Sequence, residues 1–262
     1  MREVVSKDLV FQERGKGVYS VYPKGNKNCT TGQTSVDRYP QAFQMSLNLL
    51  YHHRPGRLKR VGSYPSSVFA EAASLQARIH HMGACDEFEV EGVDMRPEFI
   101  AHAMGGMSFP AGMLDKKPDW LKKSFITAAE AQWVCPIVPV QSRITILPPQ
   151  DLRDFQSDGP VDAMFINNLF YHLSDEDASA VLDNLLPQSN GLICIGGDFG
   201  WDEWEATKAP VFVRDKFLEL GFSFASPTGD IIEVGENDDA FIRHVNSDSF
   251  IAIHPDLIVD MG

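Results

Sequence analysis

The stretch Phe88-Glu-Val-Glu-Gly-Val-Asp94 runs directly into Arg96-Pro97-Glu98, and this junction limits the possible folds more than any other feature of the chain. Phe88 and Val90 alternate with glutamates, as on a strand, and a proline in a first turn suits the start of a helix. A carboxylate at the carboxyl end of a strand in an α/β sheet lies on the rim of the nucleotide-binding crevice. There it can accept hydrogen bonds from both hydroxyls of a ribose. A second acidic turn follows at Asp151-Leu152, and another strand end carries Asn167-Asn168. That order suggests a crevice for a nucleoside-containing cofactor. Asp94 also has a plainer alternative, as N-cap of the helix that begins near Pro97.

Strands and helices alternate along the rest of the chain. Helices are expected over Pro40–Tyr51, Ser66–Met82 with Gly83 as its stop, Pro97–Met104, Asp175–Leu186 and Val211–Leu220. Strands are expected over Leu58–Ser63, up to Asp94, and over Arg143–Pro148, Val161–Ile166 and Gly191–Gly196, with Phe222–Phe224 and Ser249–Ile253 closing the sheet. Between residues 105 and 142 the pattern is mixed, helical over Asp119–Gln132 and extended over Val134–Val140. The alternation predicts an α/β fold, a doubly wound Rossmann-like sheet that is mostly parallel with an antiparallel closing strand. Residues 1–33, rich in glycine turns, read as an irregular arm, and residues 34–262 as one domain.

The chain has 262 residues, and its 23 Lys+Arg against 36 Asp+Glu give a formal charge of −13. That balance disfavours sequence-independent binding to nucleic acid or to an anionic membrane. The basic run Arg54-Pro-Gly-Arg57-Leu-Lys59-Arg60 reads as a solvated turn before a strand. Cys29, Cys85, Cys135 and Cys194 lack C-x-x-C spacing and read as reduced thiols, and no metal site is expected. His52-His53 and His80-His81 are adjacent pairs, which point in different directions on a helix. Gly196-Gly197-Asp198 lacks the spacing of a phosphate loop, and Trp201 and Trp204 read as a surface loop. Met1–Asp8 has no apolar stretch of the signal-peptide kind, so the expected location is cytoplasmic.

From about Thr34 to Ile253 the order and spacing resemble the chemotaxis-receptor (CheR-type) methyltransferases. Thr34-Ser-Val-Asp-Arg38-Tyr-Pro40-Gln-Ala-Phe43 resembles that family's Thr-x-Phe-Phe-Arg segment, and Asp94 its acidic residue after the second strand. Asp151-Leu152 resembles its Asn/Asp-Leu turn, and Phe165-Ile-Asn-Asn168-Leu-Phe-Tyr171-His172-Leu-Ser-Asp175 its Phe-Cys-Arg-Asn-Val-Leu-Ile-Tyr-Phe-Asp segment. The family's glycine-rich Gly-Cys-Ser-Thr-Gly-Glu-Glu-Pro-Tyr loop falls on Val61–Phe69, where only Ser63 and the aromatic Phe69 keep their character. Tyr64 and Pro65 add bulk there. Asn167 replaces the arginine of the Arg-Asn pair, the family tyrosine falls on His172, and the family's N-terminal helical domain is expected to be missing or reduced to the arm of residues 1–33.

The resemblance implies an S-adenosylmethionine-dependent methyltransferase whose acceptor is a protein carboxylate. It implies cofactor contacts from Arg38, Ser63, Asp94, Met95, Asp151, Leu152 and Asn168. Asn168, Tyr171 and His172 are the candidates beside the transferred methyl. Each has an alternative: Arg38 as a surface ion-pair partner, Asp151 as a turn residue, Asn168 as a strand-end hydrogen bonder, His172 as packing. The altered loop motivates a different class of function, a catalytically inactive methyltransferase fold used for binding or regulation. A dehydrogenase is disfavoured by the missing G-x-G-x-x-G.

Overall fold

The computed structural model describes residues 3–15, 17–27, 33–128, 132–196, 208–232 and 249–259. In chain order, the elements begin with β1 (Glu3–Val5), β2 (Leu9–Gly15), β3 (Val18–Pro23), β4 (Gln33–Thr34), α1 (Pro40–His53), β5 (Lys59–Ser63) and α2 (Ala70–His81). They continue with β6 (Phe88–Gly92), α3 (Pro97–Met104), β7 (Phe109–Pro110), α4 (Asp119–Lys122), β8 (Phe125–Thr127), β9 (Trp133–Pro136), α5 (Val138–Gln141) and β10 (Ile144–Ile146). The remainder are β11 (Val161–Asn167), α6 (Asp175–Leu185), β12 (Ser189–Gly196), α7 (Lys208–Glu219), β13 (Ser223–Ala225), β14 (Ile231–Ile232), β15 (Ser249–Ile253) and α8 (Pro255–Val259). The contacts divide the chain into two compact units, Met1–Arg38 with Pro65–Gln150, and Tyr39–Tyr64 with Asp151–Gly262.

In the first unit β10 runs parallel to β6, with Ile144 opposite Val90 and Ile146 opposite Gly92. Helix α2 is buried on every side, Glu71, Ser74, Gln76 and Arg78 included. It starts at Ala70 rather than Ser66, because Ser67 and Phe69 have left-handed backbones, φ 50° and 67°. Gly83 ends it as expected, at φ 71°, a conformation open to glycine without steric penalty.

Two expectations in this unit need correction. The segment read as an irregular arm forms the antiparallel sheet β1-β2-β3-β4. Its strands bury Val4, Leu9, Phe11, Tyr19 and Val21, and the glycines that suggested an irregular arm include Gly15 at φ 122°, the last residue of β2, and Gly17 at φ 78°, just before β3. The helix expected over Asp119–Gln132 is confined to α4. Beyond it, Phe125–Thr127 pairs with β9, which also pairs with β7, so pairing with the next strand overrides local helical preference.

In the second unit the order is β5-β11-β12-β15-β13-β14. β5, β11 and β12 are parallel, and the late strand β15 inserts antiparallel between β12 and β13. The fold is therefore α/β, with a mostly parallel Rossmann-like sheet and the antiparallel closing strand that the sequence predicts. Helix α1 lays Phe43, Leu47 and Leu50 inward and packs on β12 and β15.

A single carboxylate organises one end of this ladder. Asp162 Oδ1 accepts from Arg54 Nη1 at 2.5 Å and from Arg57 Nη2, and its Oδ2 accepts from the Arg60 main-chain N–H at 2.9 Å. Arg54 also reaches Asn190, its Nη1 to Oδ1 at 2.9 Å and its Nη2 to the carbonyl. Register shifts between Val161 and Ala163 at this point, and Gly191 is required because a Cβ there would overlap the Asp162 carbonyl. The basic run thus faces a buried acid instead of forming a solvated turn.

Arg54 and Asp162 are both buried, whereas Arg57 is 49% exposed. Removing one partner of a buried pair leaves an uncompensated charge, so Asp162→Ala should lower unfolding stability by about 3–5 kcal/mol. Arg57→Ala should cost under about 1 kcal/mol. Urea denaturation monitored by circular dichroism measures both. Equal effects of the two substitutions would contradict this assignment.

Candidate functional site

Asp94 lies just beyond the carboxyl end of β6 and is buried. Its Oδ2 accepts the Ser67 N–H at 2.8 Å and its Oδ1 the Arg96 N–H at 3.0 Å, while its carbonyl accepts from Gln150 N–H at 3.2 Å. α3 begins without a side-chain cap, so the N-cap alternative for Asp94 does not describe what the carboxylate does. Burial pushes the Asp94 carboxyl above the ordinary aspartate value, and the main-chain N–H groups pull it back. A buried carboxylate perturbed in this way, at a strand end, is a recognised sign of a binding site. Met95, beside it, is 60% exposed.

The loop that supplies Ser67 is strained. A bulky residue at positive φ, such as Phe69, is a true outlier, and Phe69 is fully buried. Gly92 permits the fit, since a Cβ there would overlap Ser66 Oγ and lie 2.6 Å from the Phe69 ring. Arg38, half-buried, follows Asp37 at φ 50°. Among the described residues, non-glycine positive φ occurs at Asp37, Ser67, Phe69, Met107, Lys116 and Asn168. Four of these fall on the three segments that the sequence singled out: Thr34–Phe43, Val61–Phe69 and Phe165–Asp175. Strained backbone of this kind clusters at ligand clamps and active sites.

In the second unit, Asn168 sits at the end of β11 with φ 55°. Its N–H donates to the Gly196 carbonyl at 2.9 Å, and its Oδ1 accepts from the Tyr39 hydroxyl at 3.1 Å. Tyr39 is buried and meets Phe43 edge-on, with centroids 6.4 Å apart. The sequence did not single out Tyr39 within its segment, although an aromatic just before the proline that opens α1 was a signal. Tyr171 and His172 form a single 3-10 turn with Phe170, and His172 is exposed.

Ser63 is buried at the end of β5. Tyr64, next to it, is also fully buried and packs on Phe155 at 4.9 Å. Its ring covers Gly62, where a Cβ would overlap it. The bulk that Tyr64 adds to this loop is thus stowed in the core.

Asp151 is bound by its neighbour: Oδ1 accepts from Arg153 Nε at 3.0 Å and from its N–H at 2.9 Å, and Oδ2 from Nη2 at 2.5 Å. The Arg153 guanidinium holds the Asp151 carboxyl below its ordinary value and also reaches Asp177 at 2.6 Å. Arg153 went unnoticed in the sequence, though the Asp-x-Arg spacing suffices for this contact. Leu152 is buried and its carbonyl accepts from Asn184 Nδ2 at 2.9 Å, while its N–H meets no acceptor among the described residues.

So Arg38, Asp94 and Met95 belong to the first unit, and Ser63, Asp151, Leu152, Asn168, Tyr171 and His172 to the second. Gly197, Asp198, Trp201, Trp204 and Cys29 lie outside the described residues. Among the described residues no cluster of three or more histidines, cysteines or acids suits a metal ion, and no helix is long and apolar enough to cross a membrane.

No family model matches the chain, and no curated protein matches it. Solved structures similar to it include magnesium protoporphyrin IX methyltransferase from Synechocystis PCC 6803 with bound S-adenosylmethionine, 14% identical, TM-score 0.45, over 82% of this chain and 78% of that one. The N-methyltransferase NodS from Bradyrhizobium japonicum WM9, in complex with S-adenosylhomocysteine, is 12% identical with TM-score 0.44, over 84% and 89%. The plantazolicin methyltransferase BpumL, also in complex with S-adenosylhomocysteine, is 11% identical with TM-score 0.48, over 83% and 84%. Likeness this distant assigns neither a family nor a chemistry.

Proposed function

We propose that the chain is an S-adenosylmethionine-dependent methyltransferase acting on a carboxylate, with a protein side chain as the acceptor. The observation that carries this reading is Asp94, a buried carboxylate at the end of a parallel strand, aimed by two main-chain N–H groups from strained or turning backbone. A carboxylate has about four lone-pair sites. The sites left beside the main-chain N–H groups would accept the hydroxyls of a ribose.

The other donor sets fit the cofactor unevenly. Arg38 supplies a planar fork suited to a carboxylate tail. The Leu152 N–H suits a ring nitrogen of adenine, but the Asp151 carboxylate is engaged by Arg153 and would have to exchange that contact for the adenine amino group. When bound, the cofactor supplies an electrophilic methyl on a sulfonium. A carboxylate acceptor is already ionised at neutral pH, so no general base is required. With its oxygen held by Tyr39, Asn168 would offer its amide donors to one oxygen of that carboxylate and so hold the acceptor. The exposed His172 is suited to contact with the acceptor's surroundings. The net charge of −13 and the thiol pattern agree with a cytoplasmic setting, away from membrane and nucleic acid.

The engaged Asp151 favours a second reading, in which the fold binds a partner and has lost its cofactor. Isothermal titration with S-adenosylhomocysteine separates the two. We expect binding by the intact chain, weakened roughly tenfold to a hundredfold by Asp94→Ala, in line with losing hydrogen bonds to a charged group. No binding by the folded wild-type chain would favour the second reading instead.

The raised Asp94 carboxyl gives this binding a pH dependence. Only the ionised form accepts from both hydroxyls, so ligand binding lowers the carboxyl's affinity for protons. Affinity should therefore rise with pH through the raised Asp94 value, above the ordinary figure of about 3.9, and then level off. Asp94→Asn should abolish that rise. A rise that survives the substitution would assign the titration to another group.

A further inference from the structure

Where the resembling family has an aromatic residue before its arginine, this chain has Asp37. Asp37 is buried and holds a left-handed backbone at φ 50°. Three contacts fix it. Its N–H donates to Ser74 Oγ at 2.7 Å, its Oδ1 accepts from Arg78 Nη2 at 2.7 Å and Nε at 3.2 Å, and its carbonyl accepts from Lys117 Nζ at 3.0 Å. Arg78 and Ser74 both belong to α2, where Ser74 in turn donates to the Ala70 carbonyl at 2.6 Å. The Arg78 guanidinium lies 5.0 Å from the Trp120 ring centre, and His81 stacks on the same ring at 4.7 Å.

Two cations and one hydroxyl thus converge on a single residue, and Arg38 is the next in the chain. A backbone pinned at N–H, side chain and carbonyl fixes the point from which the residue that follows departs. A buried ion pair contributes little net stability compared with apolar packing, so its place beside Arg38 calls for a positional explanation.

We propose that Arg78, acting through Asp37 and seconded by Lys117, is the positioning residue that aims Arg38 at the carboxylate of the cofactor's amino-acid tail. This rests on the reading of the chain as a binder of S-adenosylmethionine. The rival role is a staple that holds residues 34–38 to α2 without bearing on a ligand.

Two ligands tell these roles apart. S-adenosylhomocysteine carries the tail, and 5′-deoxy-5′-methylthioadenosine has the same nucleoside and thioether without it. In titration calorimetry on the full chain, Arg78→Met should weaken S-adenosylhomocysteine binding about tenfold and leave methylthioadenosine within roughly twofold, and Arg78→Lys should recover part of the loss. Equal weakening of both ligands, or of neither, overturns the proposal. If Arg78→Met does not fold, Lys117→Gln carries the test, because it leaves the ion pair intact. The expected outcome is a smaller drop, about threefold, confined to the ligand with the tail, and an unchanged ratio of the two affinities overturns the proposal. A wild-type chain that binds neither ligand refutes the cofactor reading itself, and one that binds both equally refutes the Arg38 contact alone.

Discussion

Burying Asp162 at the start of β11 sets a requirement that neighbouring segments must meet, because an ionised carboxylate withdrawn from water needs both charge and hydrogen bonds to compensate. Arg54 comes from the turn after α1, Arg57 and the Arg60 N–H from the approach to β5, and Asn190 from β12. Satisfying one acid therefore fixes the relative placement of three consecutive parallel strands at their amino ends. With those ends fixed, the carboxyl ends of β5, β11 and β12 are brought side by side, Ser63 level with Phe165 and Asn167 level with Gly196. That is where the candidate residues Ser63 and Asn168 stand. The contact that makes the ladder regular is thus remote from the candidate residues that the ladder presents.

Elsewhere, regularity is given up. Asp37, Ser67, Phe69 and Asn168 hold conformations that cost on the order of 1–3 kcal/mol each, and each is bound in place by neighbours: Asp37 by α2 and Lys117, Ser67 by Asp94, Asn168 by Gly196 and Tyr39. Phe69 is held by packing, its ring against the surface that Gly92 leaves open. Geometry paid for during folding does not have to be assembled when a ligand arrives, and such preorganisation raises affinity.

How far the sequence disclosed this depends on the range of the interaction concerned. Pro40–His53, Pro97–Met104 and Asp175–Leu185 were legible almost residue for residue, because a proline or serine start and a 3.6-residue apolar period are local signals. The strands around Val90, Phe165 and Ile193 were legible from apolar runs between turn residues. The N-terminal sheet was not, since β1–β4 depend on partners across glycine turns that read equally well as coil. Phe125–Thr127 became a strand only because β9 returns alongside it. Asp94 and Asn168 could be named from the sequence, but not the Ser67 N–H or the Tyr39 hydroxyl that orient them. A hydrogen bond between residues 129 positions apart leaves no local trace.

The two acids expected to hold the nucleoside illustrate how differently a ligand would meet them. Asp94 is buried and bound by main-chain N–H groups that cannot leave, so an incoming hydroxyl adds to the existing bonds instead of competing with them. The same burial that raises its carboxyl value strengthens any further hydrogen bond made there, because the local dielectric is low. Asp151 is in the opposite situation. It is partly exposed, and its partner is the side chain of Arg153, itself 46% exposed and shared with Asp177. Exposed ion pairs of this sort are weak, and Arg153 retains Asp177 if it swings away, so its contact with Asp151 can be exchanged at small cost. On the proposed reading, engagement at Asp94 would therefore prepare it for a ligand, whereas engagement at Asp151 would be a competition that the ligand has to win.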